Sequence, residues 1–137
     1  MGVALGAVLV GSGVLFFAKT ASVPAAGLES SALQTIAAPT FLAEYRNDAN
    51  AVVLDVRTPA EFAEGHMKDA VLMDFYAPDF NEKIAQLDKD ASYYVYCRSG
   101  NRSGKTLAMM RELGFTQVRD AAGGIGALEK AGADVVR

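Results

Sequence analysis

The chain has a single cysteine, Cys97, and a single histidine, His66, among 137 residues. One cysteine excludes an internal disulfide. One cysteine with one histidine also argues against a structural zinc site. Basic residues are scarce: 13 Lys and Arg stand against 16 Asp and Glu, for a net charge of −3. No basic stripe runs through the chain, which leaves nucleic acid binding without electrostatic support. No internal repeat is present. The Gly123-Gly124 pair is not followed by a lysine at the spacing of a phosphate loop.

Charge is wholly missing from Met1 to Ala18. A spanning helix needs about 17–25 apolar residues, so this run is at the short end. Gly2, Gly6, Gly11, Ser12 and Gly13 dilute it, and Lys19 closes it. It has no polar face, as a core helix would. No basic region precedes it, and Pro24 spoils the small-residue cleavage site at Val23 to Ala25. Gly6 breaks the myristoylation pattern. Two readings stay open for residues 1–19: a membrane anchor, or a signal segment. An anchor or an uncleaved signal makes residues 1–18 a membrane contact, and that contact is the expectation. Lys19 favours a domain on the cytoplasmic face. The signal-like run and the linker composition favour a domain in the cell envelope, outside the cytoplasm, and that is the expectation. Thr20 to Pro39 holds Ala, Ser, two prolines and one charge, Glu29. It reads as a flexible linker. Residues 40–137 then form one domain, about the commonest size.

Within that domain, strand and helix signals alternate. Thr40 is a candidate cap for a helix over Phe41–Arg46. Ala51–Val56 is a short β-branched run, the pattern of a strand buried on both faces. Thr58, Pro59 and Glu61 form a capping box with proline at the first helical position, opening a helix over Pro59–Glu64 that Gly65 ends. Further strands are predicted at Ala70–Phe75, Ser92–Tyr96 and Phe115–Arg119. Helices are predicted at Asp79–Leu87, Gly104–Leu113 and Ile125–Lys130. This alternation defines an α/β class.

Cys97 falls at the end of an apolar strand, where ligands bind in open α/β sheets. The segment Cys97-Arg98-Ser99-Gly100-Asn101-Arg102-Ser103 leads into a helix. Such a loop points several N–H groups inward and forms an anion nest. A thiolate held there is stabilised, so its pKa falls and no general base is needed. Arg98 and Arg102 add positive charge at the mouth.

These residues resemble the active-site loop of single-domain rhodaneses. Leu54-Asp55-Val56-Arg57, Glu61-Phe62 and Gly65-His66 are similar to that family's first signature. Gly123-Gly124-Ile125 with Glu129-Lys130-Ala131-Gly132 resembles its C-terminal one. The resemblance covers about residues 40–133. It implies a rhodanese-like parallel sheet of about five strands flanked by helices on both faces. It also implies a Cys97 persulfide that takes sulfur from a donor such as thiosulfate and passes it to a thiol or cyanide-like acceptor, a thiol-bearing protein among the candidates. Arg98, Ser99, Gly100, Asn101, Arg102 and Ser103 would bind substrate, with no metal or cofactor. Two positions depart from the pattern. Asp69 stands where the family commonly has glycine, and Leu128 where it has an aromatic.

Asp55, Arg57, Glu61 and His66 read as structural support. Asp55 and Arg57 are expected to pair with Glu61 or with backbone, and His66 to make a structural hydrogen bond. Tyr93, Tyr94 and Tyr96 follow strand alternation imperfectly and need no role beyond packing. Two other functions compete. Phosphatases and arsenate reductases of the same fold use a loop one residue longer between cysteine and arginine, whereas four residues separate Cys97 from Arg102 here. A non-enzymatic sulfur-carrier or binding module is the other.

Overall fold

The structure, a computed structural model, describes residues 32–137. The anchor or signal reading of residues 1–19 therefore lies outside the described residues. Among those described, no helix is long and apolar enough to cross a membrane.

Five strands form the main sheet: β1 (Leu33–Ile36), β2 (Val52–Asp55), β4 (Val71–Leu72), β5 (Ser92–Tyr96) and β6 (Gln117–Ala121). Their order is β1-β6-β5-β2-β4, and every pairing is parallel. The helices are α1 (Ala38–Asn47), α2 (Pro59–Glu64), α3 (Phe80–Ala85), α4 (Asn101–Glu112) and α5 (Gly124–Lys130). A small antiparallel pair, β3 (His66–Met67) with β7 (Val135–Val136), was not expected.

Side chains alternate across the sheet. Tyr93, Val95 and Cys97 join Phe80, Ile84, Leu107 and Met110 in the core under α3 and α4. Tyr94 and Tyr96 join Phe41, Leu42 and Leu128 in the core under α1 and α5. The tyrosines thus alternate fully. The pattern looked imperfect because both faces of a parallel sheet are covered, and both accept large side chains. Leu128 is fully buried where the family pattern has an aromatic.

Several boundaries differ from the sequence reading; the strand expected over Phe115–Arg119 runs over Gln117–Ala121, and the helix expected over Asp79–Leu87 over Phe80–Ala85. The linker was expected to run to Pro39, but Leu33–Ile36 is an edge strand paired to β6. Its burial is partial and its composition mixed, so no apolar run announced it. Helix α1 starts at Ala38 rather than behind a Thr40 cap, with Pro39 in its first turn, where proline costs nothing. The strand expected over Ala70–Phe75 shrinks to Val71–Leu72. Helix α4 begins at Asn101, three residues before the expected Gly104. That last difference reshapes the site.

Candidate active site

Cys97 follows the last residue of β5, the middle strand of the main sheet. Only Arg98, Ser99 and Gly100 separate it from α4, so Asn101, Arg102 and Ser103 belong to the first helical turn. Gly100 makes the tight entry possible. It caps the helix at φ +102°, a conformation that L side chains rarely adopt.

The turn folds back over the sulfur. The Gly100 N–H donates to Cys97 Sγ at 3.0 Å, and the Ser103 hydroxyl donates at 3.4 Å. Cys97 is 1% exposed. Burial pushes its thiol pKa up. The Ser103 hydroxyl and the N–H groups of Ser103, Ser99 and Gly100 pull it down, and they prevail. The thiol pKa therefore lies below its ordinary value, in the direction that favours a nucleophilic thiolate.

The far side of the loop rests on α5. A Cβ on Gly124 would lie 2.3 Å from the Arg98 carbonyl oxygen and 2.6 Å from that of Cys97. The Ile125 N–H donates to the Cys97 carbonyl at 2.9 Å. Gly124 thus serves close approach of backbone to backbone.

Glu61 is placed by its own helix start. Thr58 and Glu61 form the expected capping box at the head of α2. The Glu61 carboxylate accepts from the Thr58 N–H at 3.0 Å and receives both guanidinium nitrogens of Arg102, at 2.8 and 2.9 Å. These Arg102 hydrogen bonds hold the Glu61 pKa down to about 2, against burial and with help from Thr58. The pairing of Glu61 with Asp55 or Arg57 does not form. Its partner is instead 41 residues away along the chain.

Asp55 and Arg57 pair with each other. Arg57 Nη2 lies 2.7 Å from Asp55 Oδ2 and donates to the Gly65 carbonyl at 2.6 Å. The Tyr96 hydroxyl donates to Asp55 Oδ2 at 2.7 Å and accepts from the Met67 N–H at 3.0 Å. Tyr96 thus does more than pack. His66 Nδ1 donates to the Phe62 carbonyl at 2.9 Å, and its ring stacks on Phe62. None of Asp55, Arg57 and His66 lines the cleft above the cysteine loop.

That cleft has a volume of about 590 Å³. Arg98, Ser99, Asn101 and Arg102 line it, together with Glu61, whereas Cys97, Gly100 and Ser103 do not. Thr58, Phe75, Tyr76 and Lys105 also line it, and sequence reasoning missed all four. Lys105 falls one turn beyond Asn101 and Arg102. With α4 correctly started at Asn101, its shared face would have been readable. Tyr76 lies past the short β4 and gave no signal. Among the described residues, no group of three or more His, Cys, Asp or Glu is gathered that could hold a metal ion.

A short strand-to-helix turn thus wraps hydrogen-bond donors around a buried cysteine at the end of the middle strand of a parallel α/β sheet. The rhodanese-like domain profile matches residues 38–131, and the chain belongs to that family. It is 34% identical over 113 residues to thiosulfate sulfurtransferase 16, chloroplastic, of Arabidopsis thaliana, spanning 75% of this chain and 89% of that protein. It is 31% identical over 87 residues to the thiosulfate sulfurtransferase PspE of Escherichia coli, spanning 62% of this chain and 75% of that one. Among solved structures, a rhodanese-related protein from Thermoplasma volcanium superposes with a TM-score of 0.64 at 31% identity, covering 75% of this chain and 97% of that one.

Proposed function

We propose that the domain is a sulfurtransferase that carries sulfane sulfur on Cys97. The observation that carries this reading is the cradle around Cys97 Sγ, with Gly100 N–H at 3.0 Å and Ser103 Oγ at 3.4 Å. Relatives named thiosulfate sulfurtransferases support it. In the first step the Cys97 thiolate attacks the outer sulfur of a donor such as thiosulfate. A Cys97 S–S bond forms, the donor's S–S bond breaks, and sulfite leaves with its electron pair. In the second step a thiophilic acceptor, cyanide or a thiolate, attacks the terminal persulfide sulfur and restores the thiolate. The same N–H groups that favour the thiolate favour the anionic persulfide, so charge is balanced throughout without a metal-bound or protonated intermediate.

Mass spectrometry after exposure to thiosulfate tests the chemistry. The expected result is one added sulfur atom on the Cys97 peptide, removed by cyanide. Cys97→Ser is expected to stay folded and lose all thiosulfate:cyanide turnover. Absence of the added sulfur, or turnover retained in the variant, overturns the assignment.

The proposal extends to location. The uncharged run Met1–Ala18 supports a membrane tether, with the domain outside the cytoplasm. Protease treatment of spheroplasts checks it. A domain that is membrane-bound yet protected overturns the orientation, and a soluble one that retains residues 1–18 overturns the tether.

A further inference from the structure

Cys97 hangs just past the end of a strand. Strand β5 is paired with β2 as far as Asp55↔Tyr96 and with β6 as far as Val95↔Asp120. The Val56 N–H adds a last bond to the Tyr96 carbonyl at 3.0 Å. The donors that meet Cys97 Sγ come from elsewhere, from Gly100 at 3.0 Å and Ser103 at 3.4 Å. A strand end can twist about its own axis, and the side chains on its two faces then turn together. The cradle therefore needs the roll of the strand end to be fixed.

Tyr96 holds that roll from the opposite face. Side chains alternate, so Tyr96 points away from Cys97, into the core under α1 and α5. It is fully buried. Its tip is tied down as its backbone is: the hydroxyl donates to Asp55 Oδ2 at 2.7 Å and accepts from the Met67 N–H at 3.0 Å. Burial, with Asp55 beside it, pushes the phenol pKa up, so the hydroxyl keeps the proton that it donates. Arg57 closes the circuit. It binds both Asp55 and the Gly65 carbonyl, and its guanidinium lies 5.6 Å from the centre of the Tyr96 ring. Strand β3 is in turn paired with β7. The ends of β2 and β5 and the start of β3 thus meet at one phenol. Tyr96, Asp55, Arg57 and Met67 do not line the cleft.

We propose that Tyr96 is a positioning residue for sulfur transfer: its hydroxyl, anchored on Asp55 and Met67, sets the direction in which Cys97 Sγ enters its ring of donors. This inference rests on the sulfurtransferase reading. Reacting groups have to be held within about 0.5 Å and 10–20° of their working geometry, and hydrogen bonds weaken steeply as they bend. Loss of the hydroxyl leaves the buried Met67 N–H without its partner and frees the ring to settle elsewhere. The effect falls on the ionisation and attack of Cys97, not on donor binding.

The test compares two variants of the purified chain. Tyr96→Phe removes one hydroxyl and keeps the ring. Phe41→Leu weakens the same core through α1 and removes no hydrogen bond. Both are measured in sucrose, which favours the folded state. The pH midpoint of Cys97 alkylation is expected to rise by about half a unit or more in Tyr96→Phe, toward the ordinary thiol value. Its thiosulfate:cyanide kcat is expected to fall about fivefold to tenfold, with the donor KM within about twofold of wild type. Phe41→Leu is expected to lose stability while its midpoint and kcat stay at wild-type values. An unmoved midpoint in Tyr96→Phe overturns the positioning role and leaves Tyr96 a packing residue. A Phe41→Leu midpoint that moves as far overturns it too, because any softening of the core would then suffice. A raised KM with unchanged kcat in Tyr96→Phe places the hydroxyl in donor binding and also overturns it. Alkylation needs no sulfur transfer, so the two readings fail separately. A wild type that takes up no sulfur overturns the sulfurtransferase reading, and the midpoints still decide whether Tyr96 orients Cys97.

Discussion

Two arginine–carboxylate pairs, one between residues two apart in the chain and one between residues 41 apart, do different work. Asp55–Arg57 lies behind the site, its side chains 0% and 5% exposed. Glu61–Arg102 lies at the mouth, with side chains 20% and 13% exposed. The rear pair is knitted into the frame. Its Asp55 also receives Tyr96, and its Arg57 also reaches the Gly65 carbonyl. Burial works against the Arg57 charge, but the hydrogen bonds and charge of Asp55 outweigh it, so the arginine pKa is raised. Both pairs are two-pronged, and the front pair has the wetter setting. It fixes the first turn of α4, where Ser103 and the N–H groups that face Cys97 reside. The same chemistry at two depths thus holds a scaffold in one place and aims a loop in the other.

The largest expected effect is on the rear pair. Arg57→Ala leaves the Asp55 carboxylate buried without its cation, which costs about 3–5 kcal/mol. That is a large part of the roughly 5–15 kcal/mol available to a small domain. Urea unfolding measures it. A loss under about 1 kcal/mol would place the pair among ordinary surface bridges and erase the contrast drawn above.

The front pair should separate activity from stability. Arg102→Ala is expected to cost only about 1 kcal/mol. It removes a positive charge that favours the Cys97 thiolate, since the two interact electrostatically. It also leaves Glu61 as an unopposed carboxylate in the cleft. Both changes act against an anionic donor. Slower alkylation of Cys97 at neutral pH and a higher donor KM are expected, with the unfolding midpoint little changed. Unchanged alkylation and KM would mean that the pair only caps α2.

These contrasts also mark what was legible in the residues alone. The cysteine loop and the capping box are local, and each is written in consecutive positions. Parallel strands β2 and β5 announce themselves as apolar runs because both faces are covered. Strand β1 does not, since an edge strand is only half covered and can carry Gln34 and Thr35. The Glu61–Arg102 pair joins positions that only the fold brings together, and no local pattern encodes it. Asp69 shows how a departure can be conservative. It sits at φ +63°, where glycine is easiest and aspartate is among the better-tolerated alternatives. The left-handed turn survives the change. The start of α4 was misplaced because Gly100 is a poor advertisement for a helix, although it serves here as the residue that enters one.

The smallest effect concerns pH, and it distinguishes the pairs by their electrostatics. In the folded chain the Glu61 pKa is held at about 2, below its ordinary value of 4.5. A depressed carboxylate adds stability above its unfolded pKa, and that stability is lost as pH falls through the folded value. The Glu61 contribution is therefore complete at neutral pH and disappears between about pH 4.5 and pH 2. Glu61→Gln removes the charge but keeps the shape. Wild type should exceed it by about 1 kcal/mol at pH 7, discounted for solvent at the mouth. The difference should shrink steadily across that acid window. Added salt should shrink it too at neutral pH, because screening reaches an exposed pair. The Arg57→Ala deficit should respond far less to salt, because water and ions do not reach Asp55. Chemical denaturation in low and high salt at pH 7, and in low salt between pH 7 and pH 2, checks both statements. A Glu61→Gln difference that stays constant with pH would show that packing and capping, rather than the carboxylate charge, join α2 to the cysteine loop.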